Sequence, residues 1–138
     1  MSGLNLLIRI SRRTIEERQM ALAQVRQAHV EAAAAVQAHE AGMTAECHFA
    51  GKDLDALATF TTWASNAARF GNTLRQRRAD LARSEDAAHG ALHEAFVGLK
   101  RLELALEGSV RAASAASRRR ADAAAEERQQ IRSAAEAV

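Results

Sequence analysis

The amino-acid sequence predicts an all-α protein, an elongated antiparallel two-helix coiled-coil hairpin with a short helical tip segment. The first reason is composition. The 138 residues contain no proline and no tyrosine, aromatic residues make up 4%, and Ala, Glu, Arg, Leu and Gln dominate, which is the profile of long helices. The second is periodicity. From 72 to 138 an apolar residue recurs every three or four positions: Leu74, Leu81, Ala88, Leu92, Phe96, Leu99, Leu102, Leu106, Val110 and Ala113, then smaller residues through Ser117, Ala121, Ala124, Arg128, Ile131 and Ala135. These lie on one side of a helix of 3.6 residues per turn. The third is length. Such a stretch reaches roughly 100 Å at 1.5 Å per residue and cannot bury its stripe against itself. It needs a partner helix, which the residues before Gly51 can supply.

Taken in order, Ser2 is a candidate N-cap for a first helix over about 4–47. Its strongest register is the seven-residue series Ile8, Ile15, Leu22, His29, Val36, Met43. Val25 and Ala32 fill companion positions, whereas Ser11, Arg18 and His39 interrupt them, a ragged heptad. Gly42 and Gly51 weaken the helix by about 1 kcal/mol each relative to alanine. Gly51 is a natural C-cap and Asp53 a good N-cap, so the chain is expected to reverse near 48–53. A tip helix follows over about 54–70, with Gly71-Asn72 offering a break before the long second helix at about 72–137. That helix outruns the first, so its tail past about Arg118 is expected to overhang or fray. The whole reads as one folding unit. Because much of the 48% apolar content is alanine, which buries little area, the seam offers modest stabilisation.

Charge excludes some classes of function. The net charge of +2 comes from 19 basic and 17 acidic residues. Residues 1–51 carry five of each sign, 71–100 five against four, and 101–138 seven against six. Such a mosaic suits solvated helix faces with ion pairs between turns, not the one-signed patch of a nucleic-acid surface. The clusters Arg75, Arg77, Arg78 and Arg118-Arg119-Arg120 are each followed closely by acids and lack stacking aromatics. A single cysteine, Cys47, excludes an internal disulfide and suits a reducing cytoplasm. The apolar start at 4–10 is interrupted by Arg9 and followed by Arg12 and Arg13. It is too short for a membrane span and lacks a signal cleavage site, so a soluble cytoplasmic protein is expected.

No catalytic, cofactor or metal site is expected. There is no phosphate-binding glycine loop and no nucleophile elbow. His89 and His93 stand four apart, but two ligands make a weak metal site without a third. His39, Glu46, Cys47 and His48 lack a recognised ligand spacing. Adjacent carboxylates such as Glu16-Glu17 and Glu126-Glu127 sit where nothing would desolvate them. The chain therefore reads as a non-enzyme that acts by binding other proteins. Phe60, Trp63, Ala67, Phe70 and Leu74 repeat at 3, 4, 3 and 4 and form the sharpest stripe. They either pack over the end of the first helix around Met43 and Phe49 or present a binding hot spot. Leu6, Leu7, Ile8 and Ile10 are apolar around more than one side, which suggests a second covered surface.

The layout resembles the FliJ/YscO stalk proteins of flagellar and injectisome type III export. The similarity rests on a chain near 140 residues, a charged first helix, and the Gly42-Met43-Thr44 stretch before the tip. The aromatic segment from Phe60 to Leu74 and the late Glu126-Glu127-Arg128-Gln129-Gln130 tail complete it, although this tail is richer in alanine than the family's. The resemblance implies a non-enzymatic, cytoplasmic stalk at the membrane-embedded export apparatus, coupling the hexameric export ATPase to the export gate. Its implied partners are that ATPase, the gate's cytoplasmic domain and export chaperones, with no nucleic acid. Residues 4–15 and 118–131 would face the ATPase ring, with Leu4, Leu7, Ile8, Arg12, Arg119, Arg128 and Ile131 in contact. Trp63, Ala67, Phe70 and Leu74, with Phe60 a turn away, match the family's gate-contacting spacing. Two alternatives stand beside it: a generic coiled-coil module pairing with another helical protein, and a small basic nucleic-acid-associated helical protein.

Overall fold

The computed structural model describes residues 2–52 and 54–137, without the side chains of Ser2, Leu54, Ala56, Leu57 and Ala58. Two helices account for nearly all of it: α1, Ser2–Ala50, and α2, Leu54–Ala137. The cap expected from Ser2 depends on a side chain that is not described, and Asp53 lies outside the described residues. The fold is all-α, an antiparallel two-helix coiled-coil hairpin. Its packing gathers in two compact units, one of Arg13–Ala95 and one of Met1–Arg12 with Phe96–Val138.

In the first unit the α1 heptad does what its spacing predicts. Ile15, Leu22 and Val36 are buried, His29 and Met43 half-buried, and Ala50 extends the series by one further heptad. Ala32 is buried in the companion position. Each large aliphatic side chain removed from water here is worth on the order of 2 kcal/mol. On α2 the facing positions are Ala67, Gly71, Leu74, Arg78, Leu81, Glu85, Ala88 and Leu92, all buried or half-buried. They step by four and three residues, the 3.5-residue repeat of a supercoiled seam. Pairing runs antiparallel, since Arg26 meets Glu85 at 3.5 Å and Glu40 meets Arg75 at 3.8 Å.

The turn is tight. The Gly51 amide donates to the Cys47 carbonyl at 3.2 Å and the Lys52 amide to the Phe49 carbonyl at 3.0 Å. These bonds satisfy two of the carbonyls that a helix end leaves open. Gly51 ends α1 without left-handed backbone, for no described glycine has a positive φ.

The break expected at Gly71-Asn72 is absent, and the tip segment is the first part of an uninterrupted α2. Gly71 serves the seam instead. A Cβ built there would lie 2.6 Å from His39 Nε2 and 2.9 Å from His39 Cδ2. The missing side chain leaves room for the His39 imidazole. Asn72 stays helical, its Oδ1 accepting from Arg75 at 3.0 Å.

In the second unit Ile8 is buried, while Leu4, Ser11, Leu99, Leu102 and Leu106 are half-buried, and Arg12 pairs with Glu103 at 3.8 Å. Phe96 and Val110, expected in the stripe, are instead exposed. The 3.5-residue seam passes through Ala95 and Leu99, then Leu106 and Ser109, which leaves both residues one position to the side. Beyond Ala116 every described residue of α2 is exposed.

Candidate interaction surfaces

The five-residue stripe near the turn divides into two rows, each with a seven-residue step. Phe60, Ala67 and Leu74 are half-buried on the seam row. Trp63 and Phe70 form a flanking row, with Phe70 58% exposed. The Phe60 and Trp63 rings lie 5.5 Å apart at a 34° tilt, and the Phe70 ring meets His39 edge-on at 5.5 Å. Between the helices this row borders an open groove of about 520 Å³ lined by His39, Met43, Glu46, Trp63, Ala67 and Phe70. Phe49, 57% exposed, borders a neighbouring groove with Phe60 and Trp63. Large rings over an open apolar groove with a carboxylate at its side suit the anchor residues of a protein partner.

His39 and Glu46 were not among the residues singled out for this surface. Both sit on the companion row of the α1 heptad, one repeat apart, and that periodicity was the signal that could have found them. The four-residue set of His39, Glu46, Cys47 and His48 does not assemble. Cys47 and His48 are exposed, whereas His39 faces Phe70.

Of the residues assigned to the other surface, Ile8 is 6% exposed and spent on the seam. It cannot offer its side chain to a partner while α1 and α2 are paired. Its neighbours Leu6, Leu7 and Ile10 are 52%, 49% and 53% exposed and present the apolar face. Leu4 is half-buried. Arg12 borders a crevice with Asn5, Ile8, Arg9, Glu103 and Leu106. Arg119, Arg128 and Ile131 are exposed on the part of α2 with no helix beside it. Ile131 lies about 37 Å along the helix from Leu106 at 1.5 Å per residue, so the two groups of residues form separate patches.

Chemistry-bearing side chains meet elsewhere, in the middle of the Arg13–Ala95 unit. His29 Nδ1 and Glu85 Oε2 are 2.6 Å apart, Arg26 Nε is 3.5 Å from Glu85 Oε1, and Arg26 donates to His89 Nε2 at 2.7 Å. The hydrogen bond from His29 holds the Glu85 carboxyl below its ordinary pKa. Partial burial opposes that shift, and the charges of His29 and Arg26 reinforce it. His89 is thereby turned to Arg26, not to His93. Among the described residues no three His, Cys, Asp or Glu side chains gather to hold a metal ion. No helix of the described residues is long and apolar enough to cross a membrane. Comparison of the chain with models of known families, with curated proteins and with solved structures finds no match.

Proposed function

We propose that this chain is a non-enzymatic coupling component of a flagellar or type III protein export apparatus that works by binding other proteins. The observation that carries the binding reading is the bare end of α2. Residues 117–137 are helical, yet every one is exposed. An isolated helix of this length is marginal in water and draws its stability from packing. A partner that encloses these residues supplies that packing. In this reading the partner is the hexameric export ATPase, which takes Arg119, Arg128 and Ile131 together with Leu4, Leu7 and Arg12. The groove beside Trp63 and Phe70 takes the cytoplasmic domain of the export gate.

The test is capture of a purified hexameric export ATPase by the full-length chain, compared with a chain ending at Ala116. Binding with a Kd of about 10 μM or tighter that is lost on truncation supports the proposal. Equal capture by both chains removes the bare helix from the contact, and capture by neither removes the ATPase from the proposal. The same bare helix also supports pairing with a different helical protein, and binding to such a partner with no affinity for the ATPase would favour that reading.

A further inference from the structure

We propose that Arg26, His29, Glu85 and His89 form an acid-sensitive joint in the helix pair, closed near neutral pH and opened locally by acidification. His29 and Glu85 occupy seam positions that a coiled coil ordinarily gives to apolar residues. Arg26 and His89 flank them on the same side. Contacts of 2.6, 2.7 and 3.5 Å link the four.

The protonation state of each group follows from its partner. Arginine has no acceptor, so the 2.7 Å contact requires an unprotonated His89 Nε2. The carboxylate of Glu85 accepts from His29 Nδ1–H and from Arg26. In this state the charges of Arg26 and Glu85 cancel. Protonating His29 alone gives it a charge that pairs with the Glu85 carboxylate, so the opening comes from the other two titrating groups. Protonating His89 removes the acceptor facing Arg26 and places two cations against each other. Protonating Glu85 removes the only anion of the group. The fully protonated cluster carries three positive charges, on Arg26, His29 and His89, around a neutral carboxyl.

The nearest other titratable groups along α2 are Asp86, three residues before His89, and His93, four after it, both exposed. The seam neighbours are Val25 and Ala32 on α1 and Leu81 and Ala88 on α2, and Ala28 and Ser84 stand on the opposite flank. With alanines on both helices, this stretch of seam has little apolar area to hold the pair closed against that repulsion. The joint needs neither the export reading nor any partner, so it stands or falls separately.

The test uses the full chain carrying Cys47→Ser, with spin labels at Ala23→Cys and Ala87→Cys, both exposed positions outside the seam. Distances are followed from about pH 8 to about pH 3, a span that covers imidazole and carboxylate titration. The expected result is one narrow distance at the alkaline end and its loss to a longer, broader population on acidification. His29→Leu with Glu85→Leu, and separately His89→Gln with Glu85→Gln, are measured beside it. The leucine pair is expected to keep the narrow distance at every pH. The glutamine pair is expected to reduce the acid response, since it carries neither the titrating carboxyl nor the second imidazole. An unchanged distance in the parent chain overturns the proposal. So does an acid response of the leucine pair that matches the parent's, because the opening would then arise outside the cluster.

Discussion

Replacing Gly71 by alanine sets two effects of similar size against each other. In an open helix position, Gly→Ala stabilises by about 1 kcal/mol through backbone entropy and helix propensity. At Gly71 the new methyl would stand 2.6 Å from His39 Nε2, 2.9 Å from Cδ2 and 3.2 Å from Arg75 Nη2. An ordinary approach is roughly 3.5 Å, so the imidazole tip must retreat by about 0.9 Å. Retreat costs its edge-on contact with Phe70, a kind of contact worth about 0.5–1.5 kcal/mol. Gly71→Ala alone should therefore be close to neutral. In a His39→Ala background nothing opposes the methyl, and the same change should stabilise by about 1 kcal/mol. Gly90→Ala, whose added methyl meets nothing within 4 Å, serves as the unopposed reference. The assay is urea unfolding followed by helical circular dichroism on the four chains of the double-mutant cycle, with a coupling of about 0.5–1.5 kcal/mol expected. If Gly71→Ala matches Gly90→Ala in both backgrounds, the account of Gly71 as the space for His39 is wrong.

Other predictions rest on burial and charge. Leu22→Ala should cost about 2–4 kcal/mol, while Val30→Ala, at a position 64% exposed, should stay within about 0.5 kcal/mol; equal losses in thermal unfolding would contradict the seam. Trp63→Ala with Phe70→Ala should leave helical content intact and abolish gate binding or secretion, and full function in that double variant would remove the aromatic row from the contact. Glu85 has a lowered pKa in the folded chain, so its contribution to stability is present above the ordinary carboxylate range and lost as pH falls through the folded value. Glu85→Gln should therefore destabilise near neutral pH and lose that effect in acid, a difference that denaturant midpoints at the two pH values would read. A chain ending at Ala116 should keep the seam intact, since no described residue beyond it is packed, and its residues 13–95 should show unchanged amide-exchange protection.

The sequence by itself was enough for the two helices and for the face that α1 buries. A seven-residue repeat admits one helical face, and Ile8, Ile15, Leu22 and Val36 lie on it wherever the partner comes from. The bare tail past Ala116 was equally legible, because a second helix longer than the first must outrun it. Pairing between positions far apart in the chain was not legible. Local propensity marks Gly71 as a break, and only the approach of His39 from the other helix shows that the glycine is a gap in the seam. The stripe from Phe60 to Leu74 reads as one face at 3.6 residues per turn. Winding against α1 at 3.5 residues per turn separates Trp63 and Phe70 from the seam and leaves them beside the groove. Which α2 residues meet His29 is likewise a matter of register between two helices, and register is a property of the pair that neither helix carries alone.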